Sequence, residues 1–258
     1  MVVSRVGLGL LSLLIVSLVI FFSVSLLPGS YASAILGQNA TPEAVAAMEE
    51  KLGLNEPALW RYILWLGAAA TGDLGQSFVG RPVMTVLGPR LLNTITLAAV
   101  TAVIAVPLAI VLGVICARFR GKFIDRFLST STLASISLPE FFVAYIVMMV
   151  FAVKLQWFPS MAGIRNSMDF GEQLYRMVLP ILTLLLVILA HMVRNTRAAI
   201  LSVMASPYVE MARLKGESEG RVVMRQALPN AIGPIASVVA LNLAYLISGV
   251  VVIEVVFV

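Results

Sequence analysis

Charge is what this sequence lacks most. Asp, Glu, Lys and Arg make up 12% of its 258 residues, while 60% are apolar. A soluble domain carries about 25% charged and about 45–50% apolar residues. The deficit excludes intrinsic disorder and disfavours an ordinary soluble enzyme, and the mean hydropathy of +1.00 agrees. Cysteine occurs once, as Cys116 inside an apolar run. Neither an intrachain disulfide framework nor a CxxC metal site can form from it, so it reads as a small buried hydrophobe. Histidine also occurs once, as His191. Without neighbouring carboxylates it makes no metal site, and a structural hydrogen bond is its expected role. The patterns GxxxxGKS or GxxxxGKT and HExxH are missing, so the chain has no nucleotide-hydrolysing loop and no zinc-protease signature. The sequence points to no catalytic residue, cofactor or metal in this chain. The 18 bases exceed the 13 acids by 5. They cluster beside apolar segments, which marks membrane topology rather than a nucleic-acid partner.

What the sequence does have is long oily runs. A bilayer's hydrocarbon layer is ~30 Å thick, so a spanning helix needs ~20 mostly apolar residues. Five stretches meet or approach that length: 6–27, 91–117, 127–153, 177–193 and 231–258. Backbone amides find no water in lipid, so each run is expected to be helical. The reading is an all-α polytopic transmembrane bundle of about five spans, with a small helical outer loop domain. Its parts are a first transmembrane helix at 1–28, an extracytoplasmic helical loop at 29–90, and a membrane domain at 91–258 with an inner loop at 194–229. Ala32-Ser33-Ala34 imitates a signal-peptide cleavage site, but the preceding run exceeds the roughly 7–15 apolar residues of such a signal. An uncleaved first helix is expected.

Basic residues set the orientation. The stretch 118–126 holds Arg118, Arg120, Lys122 and Arg126, and the stretch 194–229 holds Arg194, Arg197, Arg213, Lys215, Arg221 and Arg225. With Arg5, that side has eleven bases against four acids, whereas the other side has seven of each, including Lys51, Arg165 and Arg176. The N-terminus is therefore expected in the cytoplasm. Five spans would put the C-terminal end outside, and Val258 closes an apolar run, so a sixth span is expected beyond it.

In the outer loop, Thr41-Pro42-Glu43 reads as a helix start, and Gly53 as its stop. Pro57 opens a second helix with an apolar face of Leu59, Trp60, Ile63, Leu64 and Leu66, followed by a turn at residues 71–75. Trp60, Tyr62 and Trp65 suit the headgroup level. The loop reads as a cap resting on the membrane, a platform for an external partner, or both.

Three polar groups lie within the spans. Glu140 follows Pro139 in a stretch opened by Ser129, Thr130, Ser131, Thr132, Ser135 and Ser137. A carboxylate at membrane depth is costly and faces a cavity or a partner. Glu140, Ser137 and Ser135 are candidate pathway-lining residues, with an interhelical hydrogen bond or an interfacial position as the other readings of Glu140. His191 sits at the inner end of the fourth run. Glu254, near the outer end of the last, is either solvated or fixes helix packing.

The inner loop carries the most information. Ser206 and Pro207 read as N-cap and first helical residue, Gly216 as a stop, 218–227 as a second short helix, and Pro229 as a break before the last span. Two short helices at a glycine bend could form a rigid protrusion or lie flat on the inner leaflet. This segment resembles the E-A-A, three residues, G, nine residues, I-x-L-P loop of binding-protein-dependent ABC importer permeases. Glu210, Ala212, Gly216, Leu228 and Pro229 fall in register, while Met211 and Gln226 replace the second and the isoleucine positions. The likeness is broader. Leu52-Gly53-Leu54, Pro57, Arg61-Tyr62, Trp65, Gly72-Asp73-Leu74-Gly75, Ser77, Arg90-Leu91, Asn93-Thr94, Ser137-Leu138-Pro139, Val251, Val252, Glu254 and Phe257 resemble the dipeptide/oligopeptide/nickel permease family, the subunit type with the long outer loop.

The resemblance implies an inner-membrane permease subunit of an ATP-driven importer. Short peptides are its first substrate class, with oligosaccharides, opines or nickel as alternatives. It further implies a second permease, two cytoplasmic ATPases holding ATP and Mg, and an extracytoplasmic solute-binding protein. Glu210, Met211, Ala212, Gly216, Leu228 and Pro229 would couple the chain to the ATPases. Nickel is least supported, because histidine and cysteine ligands are almost missing. A nucleotide-independent channel or ion-coupled carrier is the competing reading of another class.

Overall fold

The computed structural model describes residues 2–26, 31–37, 40–51, 53–77, 80–163 and 168–257. Leu52, Arg165 and Val258, which entered the reading above, lie outside them. The described residues are helical apart from turns, short irregular stretches and one isolated bridge, Gln76 with Pro82. The chain divides into two compact units, Met1–Arg90 and Leu91–Val258.

In the first unit α1 (Val2–Ser25) is an uninterrupted apolar helix. It is followed by α2 (Tyr31–Leu36), α3 (Pro42–Lys51) and α4 (Ala58–Ala70). Thr41 caps α3 as expected, its hydroxyl accepting the Ala44 N–H at 3.3 Å. Gly53 follows with φ +63°. α4 ends in a tight cap. The Gly72 N–H donates to the Ala69 carbonyl and the Asp73 N–H to the Ala68 carbonyl, each at 3.0 Å, with Gly72 at φ +91°. These two bonds across a left-handed glycine are a Schellman motif. Of the apolar face read on α4, Leu59, Trp60, Ile63 and Leu64 are exposed and Leu66 is half-buried, while Tyr62 is buried against α1.

α5 (Val83–Arg118) starts in the first unit and continues into the second. It begins earlier than the apolar run because its first turns are amphipathic rather than oily. α8 (Phe170–Met204) likewise outruns residues 177–193, so that Arg194 to Met204, expected as loop, are helical. α8 is the hub of the second unit, packing against α6 (Phe123–Ile136), α7 (Glu140–Met148) and α11 (Leu228–Phe257). Its buried Leu179, Leu184, Ile188 and Met192 recur at helical spacing and build the larger core with Val250, Ile253 and Phe257. Gly113 of α5 lies close against α8, since a Cβ there would fall 2.6 Å from the Thr196 methyl.

The run 127–153 is not one helix. α6 and α7, the latter continued by the π-helix Met149–Lys154, are bent 102° apart. Pro139 has no N–H to donate and pushes Leu138 out of helical backbone. The chain therefore breaks at residues 137–139, and Glu140 becomes the first residue of a new helix rather than a mid-helix charge. The described residues hold four helices long and apolar enough to cross a bilayer, or five spans when the bent pair counts as one.

Candidate functional site

Two features of the second unit carry functional chemistry: a cavity among α7, α8 and α11, and the inner loop. The cavity has a volume of about 440 Å³. α8 contributes Leu184, Ile188, His191 and Asn195, and α11 contributes Val238, Asn242, Tyr245 and Gly249. Both sets step by four, three and four residues, which is one face of a helix. Two complementary stripes thus face one space, each with apolar and polar members. Glu140 closes it from the start of α7, where the helix dipole favours a negative charge. Gly249 makes room for it: a Cβ there would lie 3.1 Å from Glu140 Oε2. Among the described residues Glu140 forms no salt bridge. His191 also lines this cavity and is exposed. Its expected structural hydrogen bond is not found among the described residues.

The structure separates the remaining pathway candidates from Glu140. Ser137 sits at the end of α6, its hydroxyl donating to the Leu133 carbonyl at 2.9 Å, and Ser135 is half-buried two residues earlier. Neither lines the cavity. Glu254 fixes packing, since the Thr94 hydroxyl of α5 donates to its Oε2 at 2.8 Å.

In the inner loop α9 (Pro207–Leu214) begins after Ser206, which has extended backbone with Pro207 at the first helical position. The Ser206 hydroxyl does not cap the helix. It donates instead to the Val203 carbonyl behind it. Gly216 ends α9 at φ +83°, its N–H donating to the Arg213 carbonyl at 2.9 Å while Glu217 N–H reaches the Ala212 carbonyl at 3.2 Å. This is a second Schellman motif. Arg213 Nε then bridges the bend to Glu219 Oε1 at 2.9 Å. Val209, Ala212 and Val222 close into a small buried cluster, leaving Glu210, Met211 and Leu214 exposed. The expected break at Pro229 does not occur. α10 (Glu219–Arg221) passes through the π-helix Val222–Ala227 straight into α11, with Leu228 half-buried and Pro229 exposed in its first turn. The wide turn explains this. The Leu228 N–H donates to the Val223 carbonyl five residues back, so the ladder is already displaced where proline supplies no donor.

Sequence reasoning missed the pair that ties α6 to α8. Asp125, in the first turn of α6, is buried and accepts both arms of Arg197 from α8, Nε to Oδ1 at 2.7 Å and Nη2 to Oδ2 at 2.9 Å. The Gly121 N–H adds a third bond to Oδ2 at 2.8 Å. A planar two-armed contact of this kind is strong and orients both helices. Arg197 had been counted only as a topology signal. Its spacing from Asp125 along the chain gives no hint that they meet. Beside them, the Arg118 guanidinium lies against Gly220, where a Cβ would come 3.2 Å from Nη2.

The chain matches two family descriptions. Residues 109–258 match "Binding-protein-dependent transport system inner membrane component", and residues 1–98 match its N-terminal companion. It is 35% identical over 243 residues to the "Probable peptide ABC transporter permease protein y4tP" of Sinorhizobium fredii (strain NBRC 101917 / NGR234), covering 94% of this chain and 78% of that protein. It is 33% identical over 252 residues to the "Glutathione transport system permease protein GsiC" of Escherichia coli (strain K12), covering 97% and 80%. A channel or carrier working without nucleotide is not favoured by this kinship. The bundle, the bent inner loop and these relatives agree: the chain belongs to the binding-protein-dependent transport system inner membrane components, as a multi-pass permease subunit of an ABC importer.

Proposed function

We propose that this permease conducts short peptides inward, with its N-terminus in the cytoplasm and Glu140 lining the path. Family membership brings an ATPase, a further permease and a binding protein as partners in general. On our reading the ATPases are two cytoplasmic subunits, which hold ATP and Mg and carry all hydrolysis. The binding protein delivers substrate from outside. The peptide substrate rests on what the relatives' names say of those relatives.

One observation carries the pathway reading. A carboxylate without a basic partner faces a cavity whose other polar members, His191, Asn195, Asn242 and Tyr245, come from two facing helices. An uncompensated charge at membrane depth is retained where it meets water or a polar solute. Glu210, Met211, Ala212, Gly216, Leu228 and Pro229 form the coupling element. Gly216 sets the angle at which α9 leaves the bundle, and the exposed Glu210 and Met211 are presented to a motor. Closure of the ATPases would push this element and exchange outward for inward access.

The test is uptake into vesicles holding the complete transporter and its binding protein. Peptide import that requires ATP is expected, and Glu140→Gln should slow it while ATP hydrolysis and assembly persist. Normal peptide import by Glu140→Gln would remove Glu140 from the path. Import of oligosaccharide but not peptide would replace the substrate.

A further inference from the structure

We propose that α4 does not rest on the membrane surface but is inserted among the lipid tails, with acyl chains as the partner of its exposed face. The leaflet is the one in which α1 ends, the outer leaflet on the topology given above.

Depth is the first argument. The Tyr62 hydroxyl lies 2.7 Å from Ser17 Oγ and 3.3 Å from the Leu14 carbonyl, both on α1, and its ring meets Phe21 edge-on at 5.3 Å. Ser17 stands eight residues before the end of α1 at Ser25, about 12 Å along a helix rising 1.5 Å per residue. Leu14 is eleven residues from that end, about 16 Å. The uncharged part of α1 after Arg5 is 20 residues long, about 30 Å, which matches the hydrocarbon layer and leaves little room to slide. Ordinary tilts of about 20° shorten these depths by less than a tenth. Tyr62 is nearly fully buried in this contact, so the α4 backbone lies one tyrosine length from the middle of a spanning helix.

Chemistry is the second argument. A segment at that depth must close its own backbone hydrogen bonds and hide its charges. α4 is helical, and its Ala68 and Ala69 carbonyls are taken by the Thr71, Gly72 and Asp73 N–H groups. Arg61 is the one charge among its thirteen residues. The guanidinium lies 5.8 Å from the Phe21 ring and donates to the Leu54 carbonyl at 3.4 Å. Phe21 is four residues from the end of α1, about 6 Å, which is within snorkelling reach of the headgroups. The outward face holds Leu59, Trp60, Ile63 and Leu64, each between 50% and 57% exposed. It continues the exposed apolar surface of α1, where Leu10, Leu13 and Ile20 are also open. Thirteen residues are too few to cross and suit a re-entrant piece.

The experiment measures depth, so it stands or falls independently of what the transporter carries. Ile63→Cys and Leu64→Cys, with Leu13→Cys as a lipid reference and Asp73→Cys as a water reference, are spin-labelled in a cysteine-free transporter in lipid vesicles. Collision with oxygen and with a water-soluble nickel chelate is then read. Positions 63 and 64 should match position 13, with high oxygen contact and a several-fold loss of chelate contact relative to position 73. Chelate contact like that at position 73 would overturn the insertion. Low contact with both reagents would mean a protein covers the face, and would overturn the lipid partner. Should one label disturb the fold, the other on the same face decides.

Discussion

α4 and α9 are both short helices ended by the same device, a glycine with positive φ receiving two crossed backbone hydrogen bonds. Their surroundings differ. α4 is oily, with Arg61 as its one charge, and is fixed by one tyrosine to α1. α9 carries Glu210 and Arg213, buries Val209 and Ala212 against Val222, and is braced across its bend by Arg213 and Glu219. The shared cap shows that backbone geometry alone assigns no role. On the two proposals made above, what the helix presents does: an apolar face for lipid in one case, charged and thioether groups for a protein motor in the other.

The sharpest way to break this comparison is to strain both caps. Gly216→Val and Gly72→Val each place a β-branched residue at positive φ in open space. The direct cost is thus backbone strain of about 1–2 kcal/mol in both. Gly216→Val should abolish ATP-driven uptake in vesicles while leaving hydrolysis running. Gly72→Val should leave uptake nearly intact. Equal loss in both would make the caps equivalent and remove the special role of Gly216.

A smaller but still large effect is expected behind the inner loop. Asp125→Asn leaves Arg197 without its carboxylate. Breaking a buried pair costs roughly 3–5 kcal/mol, and the low end applies because Arg197 retains 29% exposure. A fall in the melting temperature of the purified transporter checks this, and an unchanged melting curve would show that the pair is dispensable. The mildest change is on the outer side. Tyr62→Phe removes one hydroxyl contact, worth about 1 kcal/mol, and keeps the ring packing against Phe21. Proteolysis of the 53–77 stretch should quicken slightly, with transport unaffected.

Much of the inner loop was legible because its punctuation is local. Pro207 can only begin a helix cheaply, and Gly216 tolerates the left-handed turn that others resist. Pro229 was misread. A proline's local rule says break, but a π-turn upstream had already displaced the ladder. The run 127–153 was misread in the opposite sense, because an oily composition masked the stop imposed by Pro139. Glu140 could be named from residue type alone. His191 and Asn195 reach the same cavity only because α8 presents them together opposite α11.

The sequence by itself determined that this chain lives in a bilayer, which runs are oily and which loops are basic, because burial of apolar side chains and backbone hydrogen bonding in lipid are set residue by residue. Only the tertiary structure decided which polar groups meet. Asp125 with Arg197, Thr94 with Glu254 and Tyr62 with Ser17 are joined across 72, 160 and 45 residues. Such pairings depend on how helices are rotated and stacked, and one helix's periodicity does not name the helix that faces it.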